Sequence, residues 1–412
     1  MEYGLIGERL GHSFSPLIHR EFADYEYKLR PLPKEEVLQF MDDRCFKGLN
    51  VTIPYKKLVM RYCDELDETA RKIGSVNTLV VGQDGRMTGY NTDLDGILYS
   101  VRRSGIGFAG KKVLILGSGG TSLTAKAAAE TLGAAEILIV SRTGPVNYGN
   151  LDEHANADIV VNTTPVGMYP KNGEQVVDLT RFRKLSGVVD VVYNPLRTAL
   201  RMQAESLGIP SAGGLPMLVA QAKSAAEKFT GHPIDDGEIE RVIAKLASQV
   251  SNVVIIGMPG SGKSSIGEAV AARTGLKFVD ADAEIEREAG RSIPEIFERF
   301  GEAAFRDLES RVLARLGAVG GQVIATGGGA VLREANYAPL HQNGRIYLIH
   351  RARALLATGG RPLSKSPEAL EQMEQVRAPL YQRFADTEIR NDGTIDDAAK
   401  RITEDFYETA GH

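Results

Sequence analysis

The sequence predicts an α/β protein with more than one parallel-sheet unit, and three observations predict it. Apolar, strand-like runs alternate with helix-like runs from end to end. Two glycine loops, "GSGGTS" at 117–122 and "GMPGSGKSS" at 257–265, each follow a short apolar run and open a helical pattern. The 412 residues leave room for two or three domains, and no internal repeat or low-complexity segment interrupts them.

In chain order, "GHSFSPLIH" is a helix start, with Ser15 as N-cap and Pro16 at the first helical position. Capping does not account for Ser13. "GLNVTIPYK" alternates Leu49, Val51 and Ile53 against Asn50 and Thr52, a half-buried strand ended by Pro54, and Lys56 follows at its carboxyl end. "GYNTDLDGILYSVRRSG" puts Leu94, Ile97, Leu98 and Val101 on one helical face, with Asp93 in the first turn. Read alone, Asp93 complements a helix dipole and Lys56 is a surface charge. "VLILG" (113–117) and "EILIV" (136–140) are strands around a helix stopped by Gly133. "DIVVN" and "GVVDVVYN" continue the pattern. The segments from Met217 and over 236–250 are helical, and "NVVIIG" (252–257) is a new buried strand. A seam therefore falls near 248–252, too short for a long tether: about five residues reach roughly 17 Å.

Composition narrows the function classes. The chain is 43% hydrophobic and 25% charged, with a net charge of -4, so no basic field points to nucleic acid or an anionic membrane. The start, "MEYGLIGERLGH", lacks a cationic region followed by an apolar run, and no apolar run is long enough to span a bilayer. Cys45 and Cys63 make neither a disulfide framework nor a zinc site. A cytoplasmic location is the expectation; the oligomeric state is not legible.

The loop at 257–265 fits G-x-x-x-x-G-K-[ST] between strand and helix. Gly257, Gly260, Ser261, Gly262, Lys263, Ser264 and Ser265 would cradle the phosphates of ATP on backbone N–H groups. Lys263 would reach the β- and γ-phosphates and Ser264 would ligand Mg²⁺. In "FVDADAEIE", Asp280 and Asp282 lie two apart, so on a strand both point the same way; the alternative is a helix N-cap before an acidic face. "GEAAFRDLE", "VIATGGGAV", "GGRPLS" and "VRAPLYQRFAD" follow, with Arg306, Arg361 and Arg377 as possible anion ligands.

These motifs, in this order over about 250–412, resemble the shikimate kinase family. The resemblance implies a P-loop domain with a parallel five-stranded sheet that moves the γ-phosphoryl of ATP to shikimate. It implies that Asp282 binds the reacting hydroxyl and Asp280 is an outer-sphere Mg²⁺ partner. Arg306 and Arg377 would hold the substrate carboxylate, Gly328 and Gly329 would touch the ring, and Arg361 would be the lid arginine. The lid stretch "ATGGRPLSKS" is shorter than the family pattern.

The earlier loop reads as a dinucleotide site with Gly117, Gly119 and Gly120, although Ser122 stands where a third glycine would be. The following strand ends in Ser141-Arg142-Thr143 instead of the acidic residue that suits NAD. With "GHSFSP", "NVTIPYK", "GSVNTL", "GYNTDLDG", "NTTPVGM", "DVVYNP" and "GGLPMLVAQA", the chain over about 1–245 resembles the shikimate dehydrogenase family.

The resemblance implies a unit at 1–248, split into a substrate domain (1–100 and 215–248) and a Rossmann-like NADP(H) domain (101–214), with the kinase at 249–412. It implies Lys56 and Asp93 as the catalytic pair and Ser13 and Ser15 as carboxylate ligands. Thr52, Asn77 and Gln221 would bind ring hydroxyls, Tyr193 and Met217 would neighbour the nicotinamide, and Arg142 and Thr143 would take the 2′-phosphate. The chain departs at Ser141, where the family has Asn, and in the stretch 144–161, which lacks a helix and a second basic residue. The expected whole is a two-step enzyme acting on 3-dehydroshikimate and then shikimate. The competing readings are an NAD-using quinate/shikimate dehydrogenase on the same kinase, and a silent metabolite sensor.

Overall fold

A computed structural model describes residues 2–11, 13–352 and 367–411. Contacts divide the chain into two compact units, Met1–Ile243 and Ala244–His412. The division falls inside the helix Gly237–Val250, not after it. Side chains on its first two turns bond within the first unit: Glu240 takes the Arg103 guanidinium (Nε to Oε1, 2.8 Å), and Arg241 reaches Glu21 at 3.0 Å.

The first unit holds two sheets. One is six-stranded, with β1 (Tyr3–Gly7), β2 (Tyr27–Pro31), β3 (Gly48–Val51), β4 (Glu65–Leu66), β5 (Thr78–Val81) and β6 (Met87–Tyr90) in the order β2-β1-β3-β5-β6-β4. It is mixed, not purely parallel, because β5 pairs antiparallel with both β3 and β6. The connection from β5 to β6 is too short for a crossover and turns back at Gly85, φ +78°. The strand expected through Ile53 stops at Val51. Beyond it the chain turns, Tyr55 N–H bonds Thr52 O at 2.9 Å, and Tyr55 enters the core where Ile53 was expected. Ile53 is 62% exposed.

The second sheet is wholly parallel: β7 (Lys112–Leu116), β8 (Glu136–Val140), β9 (Ile159–Asn162), β10 (Gly187–Asp190) and β11 (Ser211–Ala212), ordered β11-β10-β9-β7-β8. Apolar clusters cover both faces, which is why these strands read as continuous Val/Ile/Leu runs without alternation.

The second unit has one parallel sheet of five strands: β12 (Asn252–Gly257), β13 (Lys277–Asp280), β14 (Gln322–Ala325), β15 (Gly344–His350) and β16 (Thr387–Arg390), ordered β13-β14-β12-β15-β16. Every residue of β12 is buried, with a core cluster on each face. No described helix is long and apolar enough to cross a membrane.

Candidate active sites

In the first unit the polar groups gather where β3, β5 and the helix Asp93–Ser104 begin or end. The turn after β3 carries Lys56, and Asp93 opens its helix. Lys56 Nζ donates to Asp93 Oδ2 at 2.5 Å, with side-chain exposures of 12% and 2%. The other carboxylate oxygen accepts from Asn77 Nδ2 at 2.9 Å. That amide also reaches Thr92 Oγ1 and Gln221 Oε1, both at 3.1 Å. Gln221 arrives on the helix Gly214–Thr230, which packs against Asp93–Ser104 at Gly96. A methyl group there would stand 2.5 Å from Met217 O and 3.1 Å from Gln221 Cβ, so only glycine permits this approach.

Ser13 and Ser15 form the opposite end. Ser13 Oγ donates to Ser15 Oγ at 3.1 Å, and Tyr193 packs against the intervening Phe14, ring centroids 5.4 Å apart. Ser15 is the first helical residue and not the N-cap; Phe14 occupies that place and makes no side-chain cap. The Ser15 hydroxyl is therefore left for other partners.

Residues that the sequence reading did not single out connect the two ends. Tyr27 lies near Ser15 and donates to Asn50 Oδ1 at 2.7 Å. Asn50 Nδ2 donates to Thr78 Oγ1 at 3.0 Å, and Thr78 Oγ1 to Asn77 Oδ1 at 3.1 Å. No local signal marked them: Asn50 and Thr78 face each other only because β3 and β5 pair in this register. Thr52 lies just beyond β3, its N–H on Ile6 O at 2.9 Å.

His19 backs this network. It is buried, stacks on Tyr27 at 3.9 Å and bonds Tyr25 at 2.6 Å. Burial pushes its pKa down to about 3, against a smaller upward pull from Asn50. A histidine held neutral in the fold stabilises it above about pH 6.5, and that stability is lost as pH falls toward 3. Between pH 6.5 and 5 the first unit should lose on the order of 2 kcal/mol more than a His19→Gln variant. Urea unfolding followed by circular dichroism at the two pH values checks this; parallel losses would remove His19 as the cause.

The dinucleotide loop leaves β7 at Gly117, φ +108°, and Gly119 precedes the helix Gly120–Thr131. A methyl on Gly120 would lie 3.1 Å from Ser75 Oγ and 3.5 Å from Lys56 Cβ, so the loop abuts the lysine. Ser122, in the third-glycine position, is buried and donates to Gly119 O at 2.6 Å. Arg142 and Thr143 are exposed just beyond β8, and Met217 is buried.

In the second unit Gly257, Gly260 and Gly262 have φ of +146°, +83° and +95°, and Gly262 caps the helix Lys263–Thr274. Side chains rarely adopt this backbone, so the loop needs these glycines. Lys263 Nζ curls back onto Gly257 O and Met258 O, both at 3.0 Å. Ser264 and Ser265 are exposed, while Ser261 is buried. Ser264 Oγ donates to Asp280 Oδ2 at 2.7 Å.

Asp280 and Asp282 do not share a strand face. Asp280 ends β13 and caps the helix Ala281–Ala289, Oδ1 accepting from Asp282 N at 3.0 Å and Ala283 N at 3.2 Å. Asp282 turns instead toward Gly327: a methyl there would stand 2.6 Å from its Oδ1 and 3.1 Å from Glu309 Oε1.

The Gly327–Gly329 turn collects the other predicted residues. Arg377 Nη1 donates to Gly328 O at 2.9 Å, and Tyr381 bonds the same oxygen. A side chain on Gly329 would run into the Arg306 guanidinium. Arg306 Nη1 donates to Glu309 Oε2 at 2.7 Å, and burial raises the Glu309 pKa against the pull of that guanidinium. The sequence reading missed Glu309, although its i+3 spacing from Arg306 was a signal. Arg361 lies outside the described residues.

Comparison with known proteins matches both halves. A family model for the shikimate dehydrogenase substrate binding domain matches residues 5–79, and one for shikimate kinase matches 259–407. The shikimate dehydrogenase (NADP(+)) of Clostridium perfringens (strain 13 / Type A) is 35% identical over 265 residues, covering 59% of this chain and 97% of the relative. The crystal structure of shikimate dehydrogenase 1 from Peptoclostridium difficile shares 31% identity with a TM-score of 0.57, over 60% of this chain and 98% of that one. A chorismate mutase/shikimate 5-dehydrogenase fusion protein from Clostridium acetobutylicum shares 36% identity with a TM-score of 0.56, over 59% of this chain and 96% of that one. The chain belongs to the shikimate dehydrogenase family and carries behind that part a shikimate kinase domain.

Proposed function

We propose that the chain performs two consecutive steps: NADPH-dependent reduction of 3-dehydroshikimate to shikimate, then ATP-dependent phosphorylation to shikimate 3-phosphate. The observation that carries this reading is that both sets of reacting groups are present. The Lys56–Asp93 pair lies against the dinucleotide loop, and the P-loop is followed by Asp282, Arg306 and Arg377 at one glycine turn. A silent metabolite sensor would have no need for Lys56, Asp93, Lys263, Ser264 and Asp282 together.

In the first site NADPH, when bound, would supply the hydride for the ring carbonyl. The Lys56 ammonium donates the proton that the new alkoxide needs, and Asp93, fixed by Asn77, holds the ammonium in place. Ser13 and Ser15 hydroxyls take the substrate carboxylate, and Thr52, Asn77 and Gln221 the ring oxygens. Arg142, with no acidic residue in its place, suits a 2′-phosphate and favours NADP over NAD.

In the second site Arg306 and Arg377 take the shikimate carboxylate, Gly328 and Gly329 let the ring approach the backbone, and Asp282 accepts the hydroxyl proton. Mg²⁺ would draw charge from the phosphates. The hydroxyl of Ser264 and the carboxylate of Asp280, 2.7 Å apart, are oxygen donors of the kind it takes, directly and through water.

One reaction tests the whole reading: the protein with 3-dehydroshikimate, NADPH, ATP and Mg²⁺, products identified by mass. Shikimate 3-phosphate is the expected product. Shikimate alone would remove the second step, and turnover with NADH but not NADPH would favour the NAD-using alternative.

A further inference from the structure

Strand order sorts the surroundings of the P-loop. On one side of β12 lie β14 and β13, whose carboxyl ends lead to Asp280, Asp282 and the Gly327–Gly329 turn. On the other side lie β15 and β16, whose carboxyl ends carry Arg351 and Asn391. Gly257, where the loop begins, pairs with Ile349, so Arg351 stands two residues beyond the loop's own neighbour. Ligands of open parallel sheets bind beyond these strand ends.

Asn391 is firmly placed there. Its N–H bonds His350 O at 2.7 Å, and its Nδ2 donates to Ser261 O in the loop at 2.8 Å. Arg351 lies beside it: a methyl on Gly262 would stand 2.8 Å from Asn391 Nδ2 and 3.9 Å from Arg351 Nη1. Among the described residues Arg351 Nε is buried and has no hydrogen-bond partner. A buried N–H left unbonded is costly and uncommon, and a guanidinium keeps its charge at any working pH. No described residue supplies the missing acceptor, and an anion suits a guanidinium best.

The transferred phosphoryl group must face Asp282, on the β13–β14 side. The rest of the nucleotide then runs toward β15 and β16. We propose that Arg351 binds the nucleotide at the end remote from the chemistry, donating Nε–H and Nη1–H to the phosphate nearest the nucleoside. The inference rests on the phosphoryl-donor reading of the P-loop and adds a residue outside the P-loop motif.

The test is calorimetric titration of the full chain with Mg-ADP and Mg-ATP, wild type against Arg351→Ala and Arg351→Lys. With Arg351→Ala both nucleotides should lose affinity by the same factor, about tenfold or more. The KM for shikimate and the dehydrogenase rate should not move. Arg351→Lys, which keeps the charge but not the Nε–H, should lose less, and it carries the test if the alanine variant does not fold. Unchanged ADP affinity would overturn the proposal, as would a loss confined to ATP, which would put the contact on the γ-phosphate. Wild-type protein that fails to bind ADP would instead sink the phosphoryl-donor reading beneath it.

Discussion

Lys56→Gln is expected to lower the rate of 3-dehydroshikimate reduction by roughly 10²- to 10⁴-fold, the usual worth of a positioned general acid. Glutamine is preferred to alanine because Asp93 is nearly fully buried, and its amide can still donate to the carboxylate. Removing the donor outright would leave a buried charge unpaired, at a cost of about 3–5 kcal/mol. The loss should fall on kcat, because Ser13, Ser15 and Asn77 still bind the substrate. Phosphorylation of added shikimate by the same preparation is the internal control. A KM effect with unchanged kcat would reduce Lys56 to a binding group.

Lys263→Met should abolish most phosphoryl transfer, by about 10²- to 10³-fold, while reduction of 3-dehydroshikimate continues at the wild-type rate. The ammonium now bonds the carbonyls of Gly257 and Met258, so it must exchange those partners for phosphate oxygens when nucleotide enters. Methionine keeps the length of the stem and removes the charge. Because the loop carbonyls also lose a donor, Asp282→Asn is the companion variant: it leaves the loop bonds intact and should depress kcat with little change in nucleotide affinity. Full kinase activity in either variant would contradict the role given to that residue.

Much of this architecture was legible because strand, glycine loop and helix are adjacent in the chain. Gly257–Ser265 and Gly117–Gly120 announce themselves by local backbone demands, and the buried parallel strands by unbroken apolar runs. Local rules failed where a boundary mattered. Ser15 entered its helix and left capping to Phe14, which makes no side-chain cap. The chain turned at Thr52, so Tyr55 and not Ile53 reached the core. At Asp280 the N-cap alternative left open by the spacing prevailed over the shared strand face, which separated it from Asp282.

The sequence by itself determined which chemical groups exist and roughly where the strands end. Only the tertiary structure decided which of them meet. Lys56 and Asp93 are joined by a fold that brings a turn and a helix start together; Gly96 lets the helix bearing Gln221 close over them. Tyr27, Asn50 and Thr78 became one hydrogen-bonded run because β3 and β5 pair in that register, which no local pattern states. Glu309 beside Arg306 was within reach of helical spacing, but its facing Gly327 and Asp282 was not. Hydrogen bonds act over about 3 Å, so a site depends on packing between segments distant in sequence, while periodicity and backbone preference act only along the chain.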